Sequence, residues 1–311
     1  MEIIKIKDQD QIKSLSLDPN VMTSGFFDGV HLGHQKLIKR SRELADNLGL
    51  PLVVLTFWPY PKQFYVKVDQ PYPILTSQED KYAIFSDLGV DLVLEVVFNS
   101  QIQKMSPQVF VDKYLKSAAV KVFIAGADFS YGKHDVANMD LLPQYAQNDF
   151  GVKKVSFIEY EGEKVSSSRI RNEIKKNNFE MVKHLLGRPY TVKGKIVTGA
   201  QVGRTIGFPT ANLDNSANYL IPSDGVYFTR VEIDRNYYWG ITSVGDKPTF
   251  DGNKRFIETY ILDFNQDIYG KKMSLEWLEF ERPQIKFESE EQLIRAIEQD
   301  EMKMRRYVQT R

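Results

Sequence analysis

The chain carries 311 residues, 42% of them hydrophobic, with 19 Phe, 16 Tyr and 3 Trp. That is apolar material for two cores and argues against disorder. Lys+Arg and Asp+Glu both number 41 and there is no cysteine, which argues against an electrostatic nucleic-acid or membrane binder and excludes disulfides and thiolate zinc sites.

The opening MEIIKIKDQDQIKSL alternates like a strand and lacks the apolar core of a signal peptide. No apolar run approaches the ~18 residues of a membrane span, so a cytoplasmic protein is expected. A strand is predicted over 21–24, leading into GFFDGVHLGH (25–34) and a helix over 33–47 that stops at Gly49. PLVVLTF (51–57) is a continuous apolar run, the pattern of a strand covered on both faces. Helix, strand and helix are predicted over 80–88, 90–97 and 106–118. KVFIA (121–125) reads as a buried strand, 141–148 as a helix and 155–158 as a last strand. Repeated βα units imply a parallel sheet with helices on both sides and ligands beyond the carboxyl ends of the strands.

A helical stretch over 167–186 ends at Gly187-Arg188-Pro189, and the texture then changes. YTVKGKIV, GVYFTRVEI, YYWGITSV, FIETYILDF and MSLEWLEFE are strand-like and punctuated by turn residues. A helix over 289–307 closes the chain, with Ser289 and Gln292 in capping-box positions. This is the pattern of a compact β-barrel with a terminal helix. The boundary is expected near residue 187, giving domains 1–186 and 187–311.

GFFDGVHLGH contains two of the four histidines, His31 and His34. Three apart at a helix start, both imidazoles fall on one side of the first turn, where free N–H groups and the helix dipole favour phosphate. Gly33 lets a ligand approach the backbone. Imidazole N–H donors there suit nucleotidyl transfer, whose transition state gathers negative charge on phosphate oxygens. A lone His near a helix start more often caps it; the whole decapeptide carries the functional reading. The string resembles the Gly-x-Phe-Asp-x-x-His-x-Gly-His signature of the HxGH nucleotidyltransferase superfamily. The resemblance implies a Rossmann-like domain, with Gly25, Phe27, Asp28 and Gly33 around ATP and His31 and His34 in catalysis.

VSSSRIR (165–171) resembles the Ile-Ser-Ser-Thr-x-x-Arg motif, with Ser168 in place of Thr. Ser166, Ser167 and Ser168 at a helix start, with Arg171, suit the phosphates that leave as pyrophosphate; serines there also simply cap helices. Arg169 and Arg171 are two apart and cannot face the same way, and the match favours Arg171. TFWPYP (56–61) stands where the family has Thr-Phe-Asp-Pro-His-Pro, so Trp58 and Tyr60 replace the Asp and the His. GADFSYG (126–132) resembles the family segment near flavin and nucleotide, implying Asp128, with Tyr60, at the flavin. GADFSYGKH is not a Walker A loop, having five residues between its glycines and His134 where Ser or Thr is required. KKMSL (271–275) lacks the second Lys of the synthetase loop it superficially matches.

The longest motif is GKIVTGAQVGRTIGFPTANL (194–213). Gly199, Gly203 and Gly207 permit a loop whose amides approach phosphates. Pro209 forces Phe208 into an extended conformation, and in an extended chain Thr210 and Asn212 point the same way. Their hydroxyl and amide oxygens are hard ligands for Mg²⁺, with ATP phosphates completing its shell. Any four-residue piece alone would be an ordinary Gly-rich turn. The segment looks like the riboflavin kinase signature, and the likeness continues through SDGVYFTRV, SVGDKPTF (with Asp246 where Asn is usual) and FIETYILDFNQDIYG. It implies a six-stranded Greek-key barrel and Glu258 as the base for the riboflavin 5′-hydroxyl, with Arg282 near the flavin.

Over nearly its whole length the chain is similar to bifunctional bacterial riboflavin kinase/FMN adenylyltransferases. The resemblance implies two uses of ATP, with riboflavin, FMN and FAD as substrates and products and neither nucleic acid nor membrane as partner. Two other readings remain: a kinase whose first domain only binds nucleotide or flavin, favoured by TFWPYP alone, and a tRNA-binding synthetase relative, disfavoured by the zero net charge and the missing Lys loop.

Overall fold

The computed structural model describes residues 1–8, 10–65, 72–199, 203, 206–249 and 252–310, with backbone alone at 65, 247–249 and 252–254. The chain forms two compact units, Met1–Ser167 and Ser168–Arg311. In the first, β1 (Glu2–Ile6), β2 (Asn20–Ser24), β3 (Leu52–Trp58), β4 (Leu92–Val97), β5 (Val120–Gly126) and β6 (Gly151–Val155) form one sheet in the order β1-β4-β3-β2-β5-β6. Every pairing is parallel. The order reverses between β2 and β5, so the crevice for a ligand opens at the carboxyl end of β2.

Alternate residues of the buried strands feed two cores. Val21, Val54 and Val93 meet Ile38 and Phe85 on one face, while Met22, Leu55 and Leu94 meet Phe110, Leu115 and Phe123 on the other. The helix Leu32–Leu48 ends on Gly49 in the left-handed region (φ 63°), as a side-chain-free C-cap allows. Ser77 caps the helix Gln78–Asp87 through the Asp80 N–H. The helix predicted over 106–118 starts on Ser106 as Pro107–Phe110 and continues as a wider π-helical stretch, Val111–Lys116.

The last strand of the sheet lies earlier than the 155–158 predicted. Gly151–Val155 pairs only with β5, and its Lys153 and Lys154 are exposed. An edge strand tolerates such charges, whereas the apolar VSFI just after it attracted the prediction. A short hairpin of β7 (Glu159–Tyr160) and β8 (Glu163–Lys164) follows. The helical stretch over 167–186 is two helices, Ser167–Lys175 and Phe179–Leu186. Asn177 sits at φ 59° and Asn178 caps the second helix through the Met181 N–H; Asn suits both tasks.

In the second unit β9 (Tyr190–Val197), β10 (Thr210–Leu213), β11 (Gly225–Ile233), β12 (Asn236–Thr249), β13 (Gly252–Ile261) and β14 (Lys272–Arg282) close an antiparallel barrel in the order β10-β13-β12-β11-β14-β9. Three consecutive strands, β11 to β13, run side by side and β14 returns beside β11, a Greek key. The helix pair before β9 packs with the barrel. Phe179 stacks on Trp277 with ring centroids 6.0 Å apart and meets Tyr227 edge-on at 5.8 Å. The compact units accordingly divide at 167/168, with the helix pair on the barrel side.

The closing helix, Glu290–Gln309, starts on Ser289, whose hydroxyl accepts the Gln292 N–H. The reciprocal bond of the expected box is displaced by one residue: Gln292 Oε1 accepts from the Glu288 N–H. Met304 is fully buried against Val226, Phe228, Ile241 and Leu262. Arg282 donates from Nη2 to Asp300 Oδ2 at 2.7 Å and from Nε to Oδ1 at 3.0 Å, and Asp300 is 2% exposed. Removing one partner of such a pair strands a buried charge. Asp300→Ala is expected to destabilise the barrel unit by about 3–5 kcal/mol in a denaturant melt, and Arg282→Met with Asp300→Leu to recover most of that loss.

Candidate active sites

The first candidate site begins where β2 hands the chain to the loop 25–31. Phe27, Gly29 and Val30 lie in the left-handed region, at φ 52°, 83° and 37°. For Phe27 and Val30 that conformation costs about 1–3 kcal/mol each, so other contacts must impose it. The Phe27 ring is buried, edge-on to Phe85 at 5.3 Å and to His34 at 5.2 Å. It fills the space beside Gly25, where an added Cβ would lie 3.1 Å from the ring. Asp28, also buried, accepts the Leu75 N–H on Oδ1 at 2.9 Å, and its carbonyl accepts the Ser167 hydroxyl at 2.8 Å. Asp28 is thus an anchor of the loop.

His31 is the N-cap of the helix Leu32–Leu48, and its Nδ1 accepts the His34 N–H at 3.3 Å. A neutral His31 therefore carries its proton on Nε2. The two rings stack with centroids 3.6 Å apart and planes 18° apart. The His34 pKa is held well below its ordinary 6.5, first by burial and then by the charges of His31, Lys164 and Lys81. Gly33 preserves the stack, because a Cβ there would lie 3.1 Å from His31 Cε1 and Nδ1. The result is a pair of close imidazoles, one held neutral, at a helix N-terminus.

The serine motif spans the division between the units: Ser166 and Ser167 close the first, and Ser168 and Arg171 open the second. Ser167 is the first residue of its helix, Ser168 is exposed and Arg171 is buried. Asp128, just past β5, forms an ion pair with Lys164. Tyr60 belongs to an aromatic group beyond β2, β3 and β4. Phe26, 38% exposed, meets Phe57 at 5.5 Å, Tyr60 at 5.8 Å and Phe98 at 6.5 Å, all edge-on. Such a shelf suits a flat aromatic ligand. Of these residues the motifs of the sequence single out only Tyr60; Lys81, in a helix without a marked apolar face, and Lys164, in a short hairpin, carry no local signal.

The second candidate site is set by strand register. Asn212 on β10 stands directly opposite Glu258 on β13, and Thr210 opposite Tyr260. Ala211, Leu213, Ile257 and Thr259 point into the barrel, so Thr210, Asn212 and Glu258 share its outer face. Directly paired residues of this kind have Cβ atoms about 4.5–5.5 Å apart. A Cβ on Gly199 would fall 2.3 Å from Asn212 Nδ2, so the Asn212 amide lies against bare backbone. The Phe208 N–H reaches the Gly203 carbonyl at 2.8 Å, and Gly207 sits at φ 87°. Residues 200–202, 204 and 205 of the motif lie outside the described residues, as does Phe250 of SVGDKPTF. On the other side of Glu258 stands Ser243, whose hydroxyl accepts from Gln284 Nε2 at 3.0 Å; Gln284 was not foreseen. Arg282 spends its donors on Asp300 and the Pro283 carbonyl, which makes it a clamp for the closing helix.

Among the described residues no group of three or more His, Cys, Asp or Glu side chains is placed to hold a metal ion. A hydroxyl and an amide oxygen beside one carboxylate fit a hard cation that arrives with phosphate ligands, and do not fit a soft transition metal.

A parallel α/β unit with paired imidazoles at a helix start, followed by a closed barrel with an oxygen pair beside a carboxylate, defines a two-unit nucleotide-dependent transferase. A family model described as FAD synthetase matches residues 13–169 and one described as riboflavin kinase matches 186–308. A relative from Listeria monocytogenes, named a bifunctional riboflavin kinase/FMN adenylyltransferase, is 42% identical over 92% of this chain and 92% of its own. One of the same name from Bacillus subtilis is 37% identical over 93% and 92%. The chain belongs to the bifunctional riboflavin kinase/FMN adenylyltransferase family. A crystal structure from Streptococcus pneumoniae, described as a macrolide-efflux protein, is 35% identical and superposes with a TM-score of 0.87 over 97% of this chain and 98% of that one. No helix among the described residues here is long and apolar enough to cross a membrane.

The suppressed basicity of His34 has a thermodynamic consequence. The unfolded chain protonates this imidazole near its ordinary 6.5, while the fold holds it neutral to lower pH. The unfolded state therefore binds more protons, and stability falls as pH drops below about 6.5. Denaturant midpoints of the wild type should decline with acidification from about pH 6.5, and those of His34→Gln should decline less steeply.

Proposed function

We propose that the barrel phosphorylates the 5′-hydroxyl of riboflavin with ATP, and that the first unit transfers AMP from a second ATP to the FMN so formed, releasing pyrophosphate and FAD. The observation that carries the kinase half is the cross-strand pairing of Asn212 with Glu258. It sets an oxygen ligand beside a carboxylate on one face. Thr210 and Asn212 would hold Mg²⁺, which supplies charge neutralisation for the transferring phosphate. Glu258 accepts the proton of the attacking hydroxyl. Gly199, Gly203 and Gly207 let the loop backbone approach the nucleotide.

In the first unit the backbone N–H groups at the start of the helix Leu32–Leu48 and the imidazole donors of His31 and His34 face the charge that develops on the α-phosphate. Ser166, Ser167, Ser168 and Arg171 serve the leaving pyrophosphate, and Gly25, Phe27, Asp28 and Gly33 shape the loop that receives ATP. The aromatic shelf with Tyr60, and Asp128 near it in function, receive the flavin ring. We assign adenylyl transfer to residues 1–186 and phosphorylation to 187–311, in a cytoplasmic enzyme; the absence of cysteine supports that compartment.

Purified protein given riboflavin and Mg-ATP should yield FMN and then FAD on chromatographic separation of the flavins. FMN without FAD would leave a kinase with a silent first unit, and neither product would refute the proposal. Glu258→Gln should lower FMN formation about 10²- to 10⁴-fold while FAD synthesis from supplied FMN persists. His31→Ala should do the reverse, at a cost of about 10²- to 10³-fold. Loss of both activities in either folded variant would disprove the two-site assignment. Gly199→Ala drives a methyl group into the Asn212 amide, and it should depress FMN formation alone in the same assay.

A further inference from the structure

Lys81 is a buried cation that none of the roles above employs. It lies one turn into the helix Gln78–Asp87 and is 4% exposed. Its ammonium forms no hydrogen bond or ion pair with any described residue; its one close partner is the Tyr82 ring, 5.3 Å away. A buried lysine that serves structure alone is normally hydrogen-bonded to its counter-ion. Here Glu95 and Asp28 act on Lys81 from a distance, and both are already engaged. Glu95, 2% exposed, accepts a hydrogen bond from Gln78 Nε2 and lies 3.7 Å from Lys5 Nζ. Asp28 accepts from the Leu75 N–H. Phe85, one turn on from Lys81 in the same helix, meets the Phe27 ring at 5.3 Å, and Phe27 meets His34 at 5.2 Å. The helix of Lys81 therefore packs on the side of the sheet that carries the imidazole pair; the charge of Lys81 accordingly acts on the His34 ring.

The same face of the sheet holds further polar atoms with no partner among the described residues: the buried hydroxyls of Thr23 and Thr56 and the Nδ1 of His34. Thr56 stands directly opposite Glu95 in the β3–β4 register. Buried donors without acceptors are rare in folded proteins. A phosphate supplies acceptors and the negative charge an unpaired ammonium lacks.

We propose that Lys81 is a further substrate-binding residue of the first site, its ammonium taking a phosphate oxygen of ATP beside the His31–His34 pair. This rests on the adenylyl-transfer reading of that site. Burial pulls the ammonium pKa down to about 8, against the raising effect of Glu95 and Asp28, so Lys81 is charged at neutral pH and loses its charge above about pH 8. After burial, the groups that act on this titration are Glu95 on β4 and Asp28 in the loop 25–31. Lys5 from β1 and Gln78 on the same helix face Glu95, and the charges of Lys81 and Lys164 both act on His34.

The test is FAD formation from supplied FMN by the full chain, with kcat/KM for ATP measured from pH 6 to about 10, since that quantity reports groups of the free enzyme. The wild type should lose kcat/KM above about pH 8. Lys81→Arg, which stays charged, should keep activity within about tenfold and move that limb upward. Lys81→Met should lower kcat/KM for ATP about a hundredfold, with FMN formation from riboflavin unchanged in every variant. Lys81→Met combined with Glu95→Gln should remain low. Recovery in the double variant would make Lys81 a counter-ion for Glu95 and overturn the proposal. Full kcat/KM in Lys81→Met, or an alkaline limb that Lys81→Arg leaves in place, would overturn it too. If Lys81→Met does not fold, the limb in the wild type and in Lys81→Arg decides. His31→Ala is assayed alongside. Should it retain FAD formation, the reading of the whole site fails; should it lose activity while Lys81→Met does not, only the role of Lys81 fails.

Discussion

The hydrogen bond from the His34 N–H to His31 Nδ1, 3.3 Å long, organises the first unit around a single point. It satisfies an N–H that the helix start would otherwise leave unpaired. It assigns the His31 proton to Nε2, and it draws the rings to a 3.6 Å stack. At that separation two imidazolium ions would repel, and His34 is the member held neutral. The arrangement carries a backbone cost at Phe27 and Val30, both in the left-handed region. The buried Phe27 ring and the two anchors of Asp28 offset it. Local strain beside a ligand crevice, over-determined by its surroundings, marks the loop as a built feature.

The barrel reaches a comparable result through register. β10 is only four residues long, yet β9 and β13 hold it on both sides. A slip of one residue would turn Asn212 and Thr210 into the core and Ala211 and Leu213 outward. Gly194 and Gly199 fix the fit, because a Cβ at Gly194 would collide with the Asp214 carbonyl at 2.0 Å and one at Gly199 with Asn212. These two glycines of the motif therefore let strands and side chains close up on one another. Both sites rest on constraints tight enough that one methyl group is felt.

Much of this was legible in the sequence because it depends on short-range periodicity. The three-residue spacing of His31 and His34, the two-residue spacing of Thr210 and Asn212, and the apolar run of β3 each specify which side chains share a face. What escaped depends on packing between distant segments. The polar edge strand Gly151–Val155 carries little hydrophobic signal, and only the Phe179 stack on Trp277 tells which unit the preceding helices pack with. The pairing of Arg282 with Asp300, eighteen residues on, also has no local signal. Lys81 was silent for the same reason. A lysine is recognised as unusual only when its burial is seen.

The balanced charge of the chain fits this division of labour. Many of its cations sit in surface pairs such as Arg305 with Asp263 and Glu301, or Lys116 with Asp112 and Asp149. Such pairs contribute roughly 0–1 kcal/mol and project little field at physiological salt. A phosphate that reaches this protein is therefore met by local groups. Neutral N–H donors are well suited to the task, because they cost less to bury than a cation when no nucleotide is bound. They are fully oriented when charge develops, in surroundings where each contact is worth more than in water. A stacked pair of imidazoles supplies such donors, and one buried ammonium near them adds the attraction that neutral groups lack. On the adenylyl-transfer reading proposed above, the site would stay stable while empty because its backbone donors and the neutral His34 ring carry no net charge.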